Sequence, residues 1–283
     1  MNMRNLYYKV SLYIRFILKA IATLYSITEK SPAGIYFLMY HSIGESVDLE
    51  IDIDKDTFVS QIRYLKKVGN VISIDEAVFL LSQGKELRER YFVITFDDGY
   101  KNFMTNVLPI IEEHETPTLI YINTKYIEDN EALPIAKKVG FNGKIDALSW
   151  DEIRDLSRMQ LITIGCHCHQ HRELTTISDE EIVKDFKNSI RLFHDHVSLE
   201  PSHLCYPRGV YNERVKQIAR SHFNSAVKTT NSGKPVTKII GNFEIPRIPI
   251  LKTDGLFWFK LRIDGKLYAD AAVIKYLSKV MLR

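Results

Sequence analysis

Two adjacent carboxylates are the first feature of this sequence that could do chemistry. Asp97 and Asp98 stand side by side and are followed by Gly99. Like charges at this spacing raise each other's pKa. Keeping both carboxylates ionised therefore costs free energy unless a positive group offsets the negative charge. A cation bound by one carboxylate would remove that cost, and the other carboxylate would then be free to act as a base.

A cluster of histidines further along the chain could supply the other ligands for such a cation. His167, His169 and His171 fall within five residues, and imidazole is the commonest metal ligand in proteins. One carboxylate with two imidazoles, such as those of His167 and His171, would form a three-ligand site with open positions, which is typical of catalytic rather than structural metals. Spacing alone does not choose among the three histidines. The thiols of Cys166 and Cys168 could bind a soft metal, but free cysteine is more often a small buried side chain, and we favour that interpretation.

The composition is that of a folded domain without a strong charge bias. Of the 283 residues, 45% are hydrophobic and 26% are charged, which is typical of a globular protein. The net charge of +3 is too small to create the basic field on which nonspecific nucleic-acid binding depends, so we predict no nucleic-acid partner. Three cysteines are too few for a disulfide framework and favour a reducing compartment.

Predicted strands and helices alternate after the first thirty residues. Short apolar runs predict strands at residues 35–40, near Val71, and at 91–96, 118–123, 161–166, 203–206, 225–228 and 243–248. Three helices begin at Ser-x-x-Glu capping boxes, at residues 73–76, 149–152 and 178–181. The alternation indicates parallel βαβ units and therefore the α/β class, but periodicity does not tell an open sheet from a closed barrel. Five histidines lie in these patterns without acidic partners and are expected to be structural: His114, His194, His196, His203 and His222.

The polar residues that could do chemistry directly follow predicted strands. His41 follows the first strand, Asp97 and Asp98 follow a second, His167 a third and Arg208 a fourth. In α/β folds ligands and catalytic groups gather at the carboxyl ends of the strands, because the loops there converge over one face. We therefore expect four separate segments to meet in one site.

Residues 1–30 have an amphipathic helical pattern with Lys and Arg on the polar face. We expect an uncleaved helix lying on a membrane surface, because charges interrupt the apolar core that a secretory signal needs. The alternative is a helix packed on its own domain. No stretch of the sequence reaches the uninterrupted apolar length of a membrane-spanning helix. Residues 256–262 are aromatic and basic, and either add a second membrane contact or belong to the core.

Four motifs resemble those of the polysaccharide deacetylases, the carbohydrate esterases built on the NodB homology domain. They are Thr-Phe-Asp-Asp-Gly-Tyr at residues 95–100, the histidine segment at 164–178, Tyr-Pro-Arg-Gly at 206–209 and Leu-Ser-Trp-Asp at 148–151. The resemblance implies that Asp97 is the catalytic base and that Asp98, His167 and His171 bind the metal. His169 takes an interior position of the second motif, which argues against it as a ligand.

The position of the catalytic acid indicates one branch of this family. The acid is normally a histidine late in the chain, yet no histidine follows His222. In the circularly permuted branch, which includes deacetylases of poly-N-acetylglucosamine, the acid lies in an N-terminal Tyr-His motif. Residues 38–43 (Leu-Met-Tyr-His-Ser-Ile) resemble that motif, so His41 is the candidate acid. The resemblance covers about residues 35–250 and implies a distorted (β/α) barrel of about seven strands, within a domain spanning residues 31–283.

The implied reaction is metal-dependent hydrolysis of an N-acetyl group from an acetamido sugar, with release of acetate. The cofactor would be a divalent ion, with zinc favoured. The backbone amide of Arg208 would stabilise the oxyanion, and its guanidinium would suit an anionic substrate such as a sugar on a lipid pyrophosphate. Arg247 would pair with Asp97 and keep it ionised, or else be a structural arginine.

Two other functions are compatible with the same residues. One is a catalytically inactive, membrane-associated scaffold that binds glycans, and the other is a deformylase acting on a formamido sugar. We expect a peripheral protein of a bacterial cytoplasmic membrane, on the cytoplasmic face rather than the extracytoplasmic one. There it would act on a cell-envelope polysaccharide or its lipid-linked precursor. The sugar and the oligomeric state are not predicted.

Overall fold

Strands and helices alternate along most of the chain. A computed structural model describes residues 32–45, 49–130, 145–230, 234–237 and 241–264. The strands are β1 (Gly34–Tyr40), β2 (Ser42–Ile43), β3 (Asp52–Ile53), β4 (Asn70–Val71), β5 (Arg90–Phe96), β6 (Thr118–Ile122), β7 (Ile162–Cys166), β8 (His203–Cys205), β9 (Ser225–Thr229) and β10 (Ile245–Pro249). The α-helices are α1 (Lys55–Val68), α2 (Ile74–Ser82), α3 (Leu108–Glu113), α4 (Thr124–Asp129), α5 (Trp150–Ser157), α6 (Asp179–Val197), α7 (Glu213–Arg220) and α8 (Phe257–Ile263). The helix predicted at residues 1–30 lies outside the described residues.

Seven parallel strands form a closed barrel. The order around the barrel is β1, β10, β9, β8, β7, β6 and β5, and β5 pairs again with β1 to close it. The pairing of β1 with β5 is the longest, and runs from Gly34 opposite Arg90 to Tyr40 opposite Phe96. β4 pairs with the beginning of β5, and β2 and β3 form a separate two-stranded sheet. The predicted α/β class, the barrel of about seven strands and all eight predicted strands are therefore confirmed.

Alternate residues of the barrel strands face two different environments. Phe37, Val93 and Cys205 belong to one buried cluster, which fills the barrel. Leu38 and Ile94, their neighbours in the chain, belong to a larger cluster between the barrel and the helices. Since successive side chains of a strand point to opposite faces, the next inward positions on β5 belong to Thr95 and then to Asp97. The strand pattern itself therefore carries a carboxylate to the mouth of the barrel.

The predicted helix starts are present. Ser149 and Ser178 each form a full capping box, in which the hydroxyl accepts from the backbone of a glutamate three residues on and that glutamate accepts from the serine backbone. At Ser73 the hydroxyl accepts from the amide of Glu76 at 3.1 Å. These caps fix the residues at which α2, α5 and α6 begin.

The aromatic and basic segment near residue 260 forms α8, which is partly core. Phe259 is fully buried, and the guanidinium of Arg262 is buried in an ion pair with Asp254 at 2.8 Å. Phe257 is 62% exposed. Among the described residues, none of the helices combines the length and apolarity needed to cross a membrane.

Candidate active site

Three side chains from two loops meet at the carboxyl end of the barrel. Asp98 follows β5, and His167 and His171 follow β7. The two Nε2 atoms lie 3.1 Å apart, and they lie 3.5 and 3.6 Å from Asp98 Oδ1. The ligand atoms of the three side chains all lie within 4.8 Å of one another. All three side chains are nearly or fully buried, so the point on which these atoms converge is enclosed.

The chemistry of these donor atoms fits a divalent cation. His167 Nδ1 lies 2.9 Å from the backbone oxygen of Cys205, so it carries the proton and donates it there, and Nε2 presents its lone pair to the site. Burial lowers the pKa of both imidazoles to about 4, which keeps them neutral near pH 7. Asp98 Oδ1 is buried and has no hydrogen-bond partner among the described residues, while Oδ2 accepts from the hydroxyl of Tyr100 at 3.1 Å. A buried carboxylate oxygen left unpaired beside two nitrogen lone pairs is the environment that a bound cation satisfies.

Asp97 lies next to this point but has a different partner. Its two carboxylate oxygens accept from both terminal nitrogens of Arg247, at 2.6 and 2.7 Å, and the arginine is fully buried. Burial alone would raise the pKa of Asp97, but the Arg247 guanidinium outweighs burial and holds that pKa well below its usual range. The two adjacent carboxylates are thus divided between a cation site and an arginine, and the contact predicted between Arg247 and Asp97 is present.

Two inward-facing side chains of the barrel also contact the terminal nitrogens of Arg247. The sequence motifs assign a role to neither of them. Thr95 Oγ1 accepts from Arg247 Nη1 at 3.0 Å, and Cys205 Sγ lies 2.9 Å from Nη2. The same thiol lies 3.5 Å from Asp97 Oδ2. The signal that could have found Cys205 is strand alternation, because the residue occupies an inward position of β8. It was counted only as one of three cysteines.

His41 and Arg208 lie at the edge of the same site. His41 directly follows β1 and is an electrostatic neighbour of both Asp97 and Asp98. Arg208 lies in the short turn after β8, where its φ of 57° is left-handed. Its guanidinium is already paired, because Nη1 donates to Glu173 Oε1 at 2.8 Å. The four predicted strand ends therefore meet, with the Arg208 side chain held at the rim.

The other histidines and the cysteines have distinct positions. His169 turns away from the cation site, and its Nδ1 lies 2.9 Å from the hydroxyl of Thr124. Cys166 and Cys168 are buried free thiols, which confirms the prediction of small buried side chains. The expectation that the remaining histidines lack acidic partners is wrong for His203, whose Nε2 lies 3.1 Å from Asp75 Oδ1 at the opposite end of the barrel. Asp75 is distant in sequence, and local patterns therefore could not reveal this pair. His114 and His194 have weaker acidic neighbours, at 3.9 and 3.5 Å.

Comparison with known proteins identifies relatives of this barrel and its motifs. The sequence model of the polysaccharide deacetylase family matches residues 84–226. YxkH of Bacillus subtilis (strain 168), named as a candidate polysaccharide deacetylase, is 26% identical over 207 residues, which cover 73% of this chain and 67% of YxkH. The poly-beta-1,6-N-acetyl-D-glucosamine N-deacetylase of Escherichia coli (strain K12) is 26% identical over 191 residues, which cover 65% of this chain and 27% of that protein. This chain therefore matches only about a quarter of the length of the E. coli relative.

A solved structure shares the fold. IcaB from Ammonifex degensii superposes with a TM-score of 0.67 at 18% identity, covering 86% of this chain and all of that one. The region matched by the family model is half of the chain and contains Asp97, Asp98, His167 and His171. The chain therefore belongs to the polysaccharide deacetylase family and is a carbohydrate N-deacetylase, a hydrolase of carbon–nitrogen bonds other than peptide bonds.

Proposed function

We propose that the protein removes the N-acetyl group of an acetamido sugar in a cell-envelope polysaccharide or its lipid-linked precursor, in a metal-dependent reaction that releases acetate. The observation that carries this proposal is the division of labour between the two neighbouring carboxylates. Asp98 offers an unpaired oxygen beside two neutral imidazoles, while Asp97 is held ionised by Arg247. A hydrolase needs both a cation site and a separate base within reach of the same water.

Asp98, His167 and His171 would hold the metal, and we propose zinc because two neutral imidazoles and one carboxylate are a common catalytic zinc set. A divalent ion bound there supplies a Lewis acid that polarises the acetyl carbonyl and favours deprotonation of the attacking water. His167 is fixed for this role by its Nδ1 contact with the carbonyl of Cys205.

Asp97 would accept the proton of the attacking water. Its Oδ1 takes a bond from Arg247 and keeps a second lone pair for that proton. The backbone amide of Arg208 would donate to the oxyanion that develops on the acetyl carbon. His41, at the end of β1, would protonate the departing sugar nitrogen, because an amine leaves poorly without a proton.

The substrate proposal rests on the relatives and on the rim of the site. The E. coli relative is named for poly-beta-1,6-N-acetyl-D-glucosamine, and an acetamido sugar is therefore the first substrate to test. The ion pair of Arg208 with Glu173 offsets the charge of the guanidinium within the protein, so neutral and phosphorylated acetamido sugars are both tested. We further propose a peripheral location on the cytoplasmic membrane, with the cytoplasmic face favoured, through the amphipathic pattern of residues 1–30.

The test is release of acetate by the purified protein from N-acetylated glycans and from lipid-linked acetamido sugars. Reactions with added zinc are compared with reactions containing a chelator, and the Asp97→Asn variant is the control for contaminating activity. We expect chelator-sensitive acetate release that the variant lacks. Formate released from a formamido sugar in place of acetate would favour the deformylase. Tight glycan binding with no acyl release in the presence of zinc would favour the scaffold.

A further inference from the structure

The loop that carries both metal-binding histidines is held in a strained backbone conformation. We call residues 167–171 the metal loop. Within it, Cys168 has a φ of 62° and His171 a φ of 50°. Residues with a side chain rarely adopt left-handed conformations, which cost about 1 kcal/mol or more each unless the surroundings impose them. Something outside the loop must therefore hold it.

One side of the metal loop is held by a buried carboxylate from a different element. Asp185 lies on α6 and is 3% exposed. Its Oδ1 accepts from the amide of His169 at 2.7 Å, and its Oδ2 accepts from the amide of Gln170 at 2.9 Å. Both oxygens are thus used on consecutive amides that lie between the two metal-binding histidines. Hydrogen bonds of this charged kind are about twice as strong as neutral ones.

The other side of the metal loop is held by a buried amide. Asn123 follows β6 and is fully buried. Its Nδ2 donates to the backbone oxygens of His167 at 3.0 Å and Cys168 at 3.1 Å. Its Oδ1 accepts from the amide of Tyr126 at 3.1 Å, which caps α4. Two carbonyls and two amides of the metal loop are therefore held by two side chains from different elements.

We propose that Asn123 and Asp185 are positioning residues that set the affinity of the metal site by holding the metal loop in its left-handed conformation. The inference depends on the metal site proposed above and adds two residues that touch neither the metal nor the substrate. Without the two side chains the loop relaxes toward ordinary backbone angles, and the two Nε2 atoms no longer converge on Asp98. Partners that orient metal ligands in this indirect way typically change metal affinity about 10- to 100-fold when they are replaced.

The structure offers substitutions that conserve shape and change the hydrogen bonds and one unit of charge, and the control for each makes the same change of charge. Asp185→Asn keeps the size of the side chain but replaces one acceptor by a donor that faces an amide. Asn123→Asp keeps the oxygen that caps α4 and removes both donors to the metal loop. Each has a matched control: Asp195→Asn changes an exposed carboxylate on the same helix, and Asn212→Asp changes the asparagine that caps α7.

The measurement is the zinc dissociation constant of the full chain, by competition with a chromophoric chelator, together with the visible absorption of the cobalt(II)-substituted protein. We expect zinc binding about 10- to 100-fold weaker in Asp185→Asn and in Asn123→Asp, with an altered cobalt spectrum. Both controls should bind as the wild type does. Thermal melts in chelator show whether each variant folds, and the added stability on zinc loading should fall in the two test variants only.

The outcomes separate this inference from the function on which it rests. Wild-type affinity and an unchanged cobalt spectrum in both test variants would overturn the positioning role alone. A lower melting temperature in chelator, with an unchanged increase on zinc loading, would also overturn the positioning role. It would show that the residue has only a general structural role. A wild-type protein that binds neither zinc nor cobalt would overturn the metal site and this inference together.

Discussion

Arg247 contacts both carboxylate oxygens of Asp97 through its two terminal nitrogens, at 2.6 and 2.7 Å, just inside the mouth of the barrel. The arginine is fully buried and Asp97 nearly so. Neither charge could be buried alone, because the desolvation of an unpaired ion costs several kcal/mol. The pair therefore explains how a carboxylate can stay ionised in the core of the protein.

Arg247→Met should both destabilise the protein and raise the pH above which Asp97 is ionised. Removing one partner of a buried ion pair costs about 3 to 5 kcal/mol in the free energy of unfolding. In the wild type the depressed pKa of Asp97 contributes stability above its unfolded pKa, and that stability is lost as the pH falls through the folded pKa. In the variant, burial without the arginine raises the pKa of Asp97. The loss in the free energy of unfolding should therefore be largest at neutral pH and smaller in acid. Urea unfolding at neutral pH and in acid tests this. In the pH profile of activity, the acid limb should also move to higher pH.

Exchanging each neighbouring aspartate for asparagine should separate base from metal ligand. Asp97→Asn should retain bound zinc and lose about 10²- to 10⁴-fold in rate, because only the general base is removed. Asp98→Asn should lose metal, since its Oδ1 is the oxygen that faces the two imidazoles. Metal content by mass spectrometry beside the rate of acetate release distinguishes them. Equal metal content in both variants would show that the assignment of Asp98 is wrong.

His41→Gln should slow deacetylation about 10²- to 10⁴-fold while sparing an activated substrate. The leaving group of an aryl acetate ester is a phenolate, which needs no proton from the enzyme. Hydrolysis of such an ester should therefore change much less. His194→Gln, on the exposed face of α6, is the matched control. Equal losses on the sugar and on the ester would argue that His41 has no role as an acid.

The three cysteines should resist alkylation in the folded protein. Burial raises the pKa of the Cys166 thiol to about 12 and raises those of Cys168 and Cys205 well above the usual range. Because the thiolate is the reactive species, almost none is present at mildly alkaline pH. Labelling with iodoacetamide, followed by mass spectrometry, should modify all three only after unfolding in urea. Rapid modification of any one in the native protein would contradict the burial seen here.

Gly165→Ala should destabilise the barrel through Tyr121. A Cβ at this position would lie 2.5 and 2.7 Å from two ring atoms of Tyr121, closer than carbon atoms can approach. Overpacking of this kind costs about 1 to 3 kcal/mol in the free energy of unfolding. Combining it with Tyr121→Leu should recover part of the loss, which urea unfolding of the single and double variants would measure. Additive losses would show that the ring is not the obstacle.

Much of the barrel could be predicted from local pattern, because each barrel strand is a short apolar run. The strands β2 and β3 have two residues each and are too short to show a period, so they were not predicted. The π-helical turn Phe103–Val107 also has no simple sequence signature. The limits of prediction in the fold are thus the short or irregular elements that carry no periodic pattern.

The site shows the same division. Strand ends predict that the aspartate pair and the histidine cluster meet, the resemblance singles out Asp98, His167 and His171, and the structure brings these three together. Strand alternation could place Cys205 inside the barrel but not beside Arg247, and the contacts of Asp185 depend on where α6 packs against the metal loop. Motif and strand position therefore located the reacting groups, while the side chains that hold them required the structure.

β10 links the assembly of the barrel to the ionisation of Asp97. β10 is the last strand that the structure describes, it pairs with β1 from the other end of the chain, and it carries Arg247. Contacts between such distant segments form late, especially while a chain is still emerging from the ribosome. A nascent chain that ends before β10 has Asp97 without the arginine that ionises it, and an open edge on β1. Addition of β10 to the barrel and the pairing of Asp97 with Arg247 are therefore one event in folding.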